Sequence, residues 1–455
     1  MRGTIRRSSL FIMMVLLLQV AAVPGAVATT TLDAAFGTPF GAETPRAAAM
    51  GSVGAALYQG SANLIANPAM LSRMDGRIRV EFNGGISQVN EDRFQPLFDS
   101  FNSYVTDTTV ASNRNSYGLL QGGAIYQLLP EHSMTVGIGV FDRYSFDYDY
   151  FEEIRDPSPY DPVTRDAVIQ LRDYQIEGRL RSISFGYGME IMPRLSMGIS
   201  LHRYTGTLKH RASTRTTSLY QSNFTGDPGS AAFDHELRGW GWTAGVSGTV
   251  NERLEVGASF EGPFTVEGAI SSMDSTIGTW MPYDQSMVVM PVPSGDVKVK
   301  YPGTLRAGVT YRPRNLLVTV FSVDLVRRFW EGVADESYRT AAFVQSGTLR
   351  DTWDVRFGLE HVFYNNVPAR FGFRYLENYA DPESNRSIFS GGVGYQTAGY
   401  QIDVTLQYHR QTSRQAFIFD RTLTWTDRPD DAAPKGLSKV EDGMVSLLLG
   451  VSRSF

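Results

Sequence analysis

The chain has 455 residues, a formal net charge of −5 and no cysteine. A balance this close to neutral gives no reason to expect nucleic acid as a partner, and without thiols neither a disulfide framework nor a thiolate metal site can form. Mean hydropathy is slightly negative, yet 44 Gly, 26 Phe and 22 Tyr accompany apolar residues spread in alternation, which is how a membrane barrel distributes its hydrophobicity.

Residues 1–28 read as a cleaved signal peptide. Arg2, Arg6 and Arg7 form a positive start, Leu10 to Val23 an apolar run, and Ala26-Val27-Ala28 a small-residue cleavage site after the break at Pro24-Gly25. The run is shorter than the roughly 20 residues a spanning helix requires, which argues against an uncleaved anchor.

Residues 29–76 do not alternate. They are rich in Ala, Gly and Ser and punctuated by Pro39, Pro45 and Pro68, a poor composition for strands facing lipid. Apolar Phe36, Phe40, Leu57 and Leu64 favour burial over a free periplasmic tail. The expectation is an N-terminal hatch lying inside a barrel too wide for wall side chains alone to fill.

From residue 77 to 455 the pattern is that of a transmembrane β-barrel of about 14 antiparallel strands. In Tyr400 to His409 the residues Tyr400, Ile402, Val404, Leu406 and Tyr408 share one face, and Gln401, Asp403, Thr405, Gln407 and His409 the other, a separation that only a period of two preserves. Similar rows place strands near 77–87, 115–127, 134–148, 174–191, 195–211, 235–250, 254–270, 296–312, 316–331, 351–364, 369–377, 386–397, 400–411 and 443–455. Connections alternate long and short. Short ones fall at Pro130-Glu131, Pro193-Arg194, Asn251-Glu252, Pro313-Arg314, Asn365-Asn366 and Ala398-Gly399, the asymmetry of barrels with short periplasmic turns and long outer loops. An even count with both termini periplasmic is expected. The alternating end, closing on Phe455, resembles the signal that the barrel assembly machinery reads in outer-membrane proteins.

Five blocks carry a more specific resemblance. They are Pro45 to Ala56 with Ser61 to Leu71, then Gly239 to Gly245, Tyr301 to Pro313, Asp351 to Glu360, and Pro368 to Tyr375. With Asn67-Pro68-Ala69 standing where a hallmark Asn-Pro-Ala is expected, the mature chain resembles the FadL/TodX (OmpP1) family of outer-membrane transporters for long-chain fatty acids and hydrocarbons. The resemblance implies a mechanism: outer loops catch a hydrophobic ligand, which enters a lumen pocket, shifts the N-terminal segment and leaves sideways beside an inward kink of the third strand. Gly137 and Gly139 are the candidates for that bend, with ordinary packing glycines as the alternative.

Other candidates follow from the pattern. Met287, Val289 and Met290 sit in an apolar loop stretch expected to face outward, suited either to ligand capture or to packing against neighbouring loops. Alternation along 296–312 aims Lys298, Lys300 and Arg306 at the lumen, where a cation could hold a ligand carboxylate or pair with wall acids. Arg356, Arg370, Arg374, Asp354 and Glu360 point inward by the same rule. Tyr144 to Phe151 reads as an interfacial aromatic girdle. The six histidines look isolated, with no pair at ligand spacing on a shared face, so neither a metal nor another cofactor is expected.

The function these features imply is passive uptake of hydrophobic small molecules across a Gram-negative outer membrane, by a monomer among outer-membrane lipid and lipopolysaccharide. The alternative is an accessory barrel of the PorV type, serving protein secretion or surface attachment. An enzyme is not expected: no Gly-X-Ser-X-Gly elbow or His–carboxylate pairing is evident.

Overall fold

The computed structural model describes residues 36–39, 44–99, 101, 103–155, 168–216, 230–276, 296–314, 317–333, 349–379, 382–397, 399–415 and 438–455. Among these, fourteen staves form one antiparallel sheet. They are β1 (Ile78–Phe98), β2 (Tyr104–Leu129), β3 (Met134–Ser145 and Tyr148–Arg155), β4 (Val168–Met192), β5 (Leu195–Thr216), β6 (Ser230–Asn251) and β7 (Leu254–Glu261 and Phe264–Thr276). Then come β8 (Val297–Tyr301 and Thr304–Tyr311), β9 (Thr319–Arg328), β10 (Thr352–Val362), β11 (Pro368–Leu376), β12 (Arg386–Thr397), β13 (Tyr400–Gln415) and β14 (Ser438–Ser454). β14 pairs with β1, Leu447 opposite Ile86, so the sheet closes on itself.

Burial is inverted relative to a water-soluble protein. On β13 the apolar Leu406 and Tyr408 are 53% and 48% exposed, while Thr405 and His409 are 1% exposed. Such a surface is stable only where the solvent is hydrocarbon and the interior is filled. Short turns gather at one end, several closed by residues in the left-handed region such as Arg194, Asn366 and Gly399. The chain's C-terminus lies at the same end: Phe455 accepts from the Arg77 amide at 2.9 Å and donates to the Ile78 carbonyl at 2.9 Å.

Several strands outrun the alternation that revealed them. β1 and β2 continue pairing through Phe98 and Tyr104, so most of the loop expected over 88–114 is a projecting hairpin. Beyond the apolar band both faces turn polar, which erases the hydropathy signal while the backbone ladder carries on.

Staves β3, β7 and β8 change phase midway. In β3 the pairing with β4 slips between Asp142 and Tyr144, leaving Arg143 as the extra residue of a β-bulge. In β7 and β8 the breaks are Gly262-Pro263 and Pro302-Gly303, at the same level of two neighbouring staves. Proline cannot donate to a ladder, and on either side of these breaks opposite parities face inward. Glu261, Thr304 and Arg306 point into the lumen on one side, Phe264, Val299 and Tyr301 on the other.

Candidate functional site: a filled lumen beside an interrupted wall

The segment 44–74 lies inside the barrel and is almost wholly buried. Thr44 caps α1 (Pro45–Ala49), its hydroxyl accepting from the Ala47 amide, with Pro45 at the first helical position where its missing donor does no harm. α2 (Asn63–Ala66) follows, and then a 3₁₀ turn over Pro68–Arg73. Here the Asn67-Pro68-Ala69 motif acquires a physical meaning. Asn67 Oδ1 accepts from the Ala69 amide at 3.1 Å, while its Nδ2 donates to the Ala55 carbonyl at 2.6 Å and to Val246 of the wall at 3.0 Å. Pro68 opens the turn, and Ala69 is fully buried. One side chain therefore caps a turn, ties two parts of the segment and anchors both to β6. Asn67→Ala leaves two buried carbonyls without that donor and is expected to cost about 1–3 kcal/mol. Faster amide exchange confined to residues 53–73 would show it; unchanged protection there would not fit this role.

Close approach to the wall depends on glycine. A side chain at Gly198 would meet Pro68 at 2.4 Å, and one at Gly257 would meet the Ala55 carbonyl oxygen at 2.0 Å. These glycines mark the track on which the inner segment sits.

Wall carboxylates hold the segment's polar groups. Asp324 Oδ2 accepts from the amides of Gly54 and Ala55 at 2.7 and 2.9 Å, and Glu81 accepts from the Ser61 amide at 2.7 Å. Arg46 makes a two-pronged contact with Glu360 at 2.9 and 2.8 Å, and Glu360 also takes Arg370 at 2.6 Å, which reaches Asp403 at 2.7 Å. Burial alone would favour a neutral Arg46, but the Glu360 carboxylate outweighs it and pushes its pKa up, so the clamp stays charged.

Toward the long-loop end the lumen is aromatic. Tyr204, Phe264 and Tyr301 stack at centroid distances of 4.2 and 4.7 Å, and Tyr144 lies 4.2 Å from Tyr301. Phe36, from the start of the inner segment, fills the remaining place: its ring meets Trp330 at 5.1 Å and Tyr379 at 5.4 Å. Its carbonyl accepts from the Tyr301 hydroxyl at 2.9 Å. Sequence reasoning named neither Trp330 nor Tyr379, because each follows a strand whose alternation has already ended.

Between this box and the inner segment lies a cavity of about 120 Å³ whose wall carries Arg143, Arg306, Arg328, Arg356 and Glu261. Glu261 is shared by Arg143 at 2.7 Å and Arg306 at 2.6 Å. Asp354 is shared by Arg328 at 2.8 Å and Arg356 at 3.2 Å. The aromatic residues thus stand directly against a cluster of ionic groups.

The wall beside the box is interrupted. Pairing between β2 and β3 runs from Leu129–Met134 to Gly122–Val140 and ends there among the described residues, although β3 remains paired with β4 as far as Ser145. Opposite Tyr144 and Ser145 the partner is instead the inner segment, through Pro39 and Thr38. Farther along, side chains of β2 reach across to β3, Asn115 donating to the Asp149 carbonyl at 2.8 Å and Asn113 accepting from the Phe151 amide at 3.1 Å.

The expected site residues therefore divide. Arg306 faces the lumen, paired with Glu261. Lys298 and Lys300 do not, because the break at Pro302-Gly303 reverses the phase; Lys298 lies outside, 3.3 Å from Glu267. Gly137 and Gly139 sit within the regular ladder, opposite Ile125 and Gly123, and make room for Leu64 and Phe141; the register slips instead at Arg143. Met287, Val289 and Met290 fall outside the described residues. The histidines are not all isolated: His210 and His235, both buried on the lumen face of neighbouring staves, have rings 6.1 Å apart. Cross-strand register, not sequence spacing, brings them together. No third His, Cys, Asp or Glu among the described residues completes a metal set with them.

A closed barrel with an apolar belt and a chain segment packed in its lumen defines an outer-membrane β-barrel protein of Gram-negative type. The sequence profile of the outer membrane protein transport family (OMPP1/FadL/TodX) matches residues 25–427, and the chain belongs to that family. Its fold is shared by a Pseudomonas aeruginosa FadL homologue (TM-score 0.63, 12% identity, 92% of this chain and 100% of the other). It is shared too by the P. putida toluene transporter TodX (0.60, 15%, 91% and 99%) and the Ralstonia pickettii toluene transporter TbuX (0.54, 18%, 91% and 99%). No curated protein matches the chain in sequence.

Proposed function

We propose that the chain carries hydrophobic small molecules passively across the outer membrane, with residues 29–76 as a hatch and the gap between β2 and β3 as a lateral exit. The observation that carries this reading is the place of Phe36: a ring of the inner segment occupies an aromatic box that opens beside an interrupted wall. A solute competing for that place draws the segment away, and the hatch responds because the two share a binding site. Continuing straight down would bring hydrocarbon against the arginine-lined cavity, whose charges would lose hydration or partners. Leaving sideways delivers it to acyl chains at no such cost. In this reading the short turns and both termini face the periplasm, and solved relatives described as toluene transporters favour uptake over the accessory role.

Of the three cations that could hold a ligand carboxylate or pair with wall acids, two point outward and the third is paired with Glu261, which favours a neutral, ring-bearing solute over a fatty acid. Toluene and oleate uptake by intact cells with and without the protein tests this. Accelerated toluene uptake is expected, and no acceleration of either compound would refute the transport reading. Phe36→Ala vacates the box and is expected to tighten toluene binding by about tenfold, since no ring need be displaced. Quenching of tryptophan emission measures that affinity; an unchanged value would show that solute and Phe36 do not share a place.

A further inference from the structure

The outward turn of Lys298 and Lys300 places them in a surface feature that transport does not use. Register aligns Arg181 on β4, Thr205 on β5, Arg238 on β6, Glu267 on β7 and Lys298 on β8 in one row across five staves. With neighbouring strands about 4.8 Å apart, that row spans roughly 19 Å. One step nearer the short-turn end stand Arg203, Trp240 and Lys300, and beyond them the apolar band begins with Phe185, Leu201 and Trp242. Five cations thus occupy the two rows directly above the hydrocarbon-facing surface on β4–β8, with Glu267 among them, and Asp142 of β3, opposite Arg181, pairs with that guanidinium at 2.6 Å. Glu236 and Asp296 stand a row farther from the band.

Small residues between these side chains, Gly239, Thr265, Gly268 and Ala269, leave a surface groove rimmed by Arg203, Arg238, Trp240 and Lys298, with Glu236, Glu267 and Asp296 also on its lining. Its cations hold replaceable partners. Arg238 meets Glu236 at 2.9 Å with both side chains more than half exposed, Lys298 meets Glu267 at 3.3 Å, and Arg203 lies 4.9 Å over the exposed Trp240 ring. Exposed pairs of this kind contribute little to stability, so exchanging a carboxylate for a phosphate with more acceptor oxygens is favourable. On the far wall, cations at the same end meet carboxylates one row away, Arg114 with Asp92 at 3.0 Å, and Arg410 and Lys439 with Glu441 at 3.6 and 2.9 Å.

We propose that the outward groove across β4–β8 binds the phosphorylated sugar headgroup of an outer-leaflet glycolipid, with Arg203, Arg238 and Lys298 on the phosphates, Trp240 at the interface and the acyl chains on the band below. A cationic row directly above an apolar surface is complementary to a lipid whose anionic group sits directly above its tails. The proposal rests on the orientation given above, with the long-loop end outward. Protease or label access to that end in intact cells reads the orientation separately.

The test is native mass spectrometry of the purified full chain in mild detergent, titrated with bis-phosphorylated lipid A and with the same lipid after phosphatase treatment. Retention of the phosphorylated form is expected at least about tenfold above the other. R203E/R238E/K298E should abolish that preference while still migrating as a folded barrel on unheated gels. R114E/R410E/K439E, matched in charge on the far wall, should preserve it. Equal binding of both lipids, loss in both triple variants, or displacement by inorganic phosphate at lipid A concentrations would each overturn the proposal.

Discussion

Deleting Arg143 from β3 is expected to abolish uptake of hydrophobic solutes while leaving the barrel folded. Arg143 is the extra residue at the point where the β3–β4 register slips, and β2 loses its partner three residues earlier. Removing it restores a period of two from Met134 onward, so β3 can lie flat against β2 and continue the ladder past Gly122. Each new backbone pair then replaces amide and carbonyl groups that the bulge had displaced. Arg143 is also an ion-pair partner of Glu261, so the informative control is Arg143→Ala, which removes the charge and keeps the bulge. Uptake near wild type for Arg143→Ala, with background uptake for the deletion, assigns the effect to the gap. If both variants lose uptake equally, the guanidinium and not the backbone is responsible. If the deletion transports normally, lateral exit at this place is wrong.

Replacing Glu360 with alanine should have the second large effect, of opposite kind. Glu360 is buried and holds Arg46 of the inner segment and Arg370 of the wall together. Its loss leaves two guanidinium groups with one fewer carboxylate between them, a change that costs about 3–5 kcal/mol where such charges are buried. Asp403 still pairs with Arg370, so the charge stranded in the lumen is chiefly that of Arg46. The expected result is a segment that samples displaced positions and a barrel that leaks. Cells carrying Glu360→Ala should hydrolyse nitrocefin faster through improved entry, and the protein in planar bilayers should show conductance steps absent from the wild type. Glu360→Asp, which keeps the charge but shortens the reach, should fall between the two. No added leak in either assay would mean that the segment is held without this clamp.

The parts of this molecule legible in its sequence are those governed by the bilayer. Asp403, Thr405 and Gln407 face inward because hydrocarbon lies on the other side, and the fourteen staves follow from the same rule. The rule fails where a backbone break resets the phase, and there the sequence offers only Pro302-Gly303 and Gly262-Pro263 as warning. Reading β8 as one continuous strand turned Lys298 and Lys300 the wrong way while leaving Arg306 correct. Glycines permit distortion, but the register of β3 slips at Arg143, and a bulge needs only one residue too many, so nothing in that residue type announces it. Asn67 carried a signal only as part of a motif, since its three hydrogen bonds link residues 55, 69 and 246. The aromatic box was hidden because Phe36, Trp330 and Tyr379 come from three separate regions of the chain.

The hydroxyl of Thr405 rests on the carbonyl of Pro45, and the last residue of the chain is sewn to the strand that follows the inner segment. The inner segment is joined to the first stave and held by the last ones, so these residues must wait for nearly the entire polypeptide before their bonds can form. Sequence separations of that length make folding slow, and the growing cylinder must shut around its own contents.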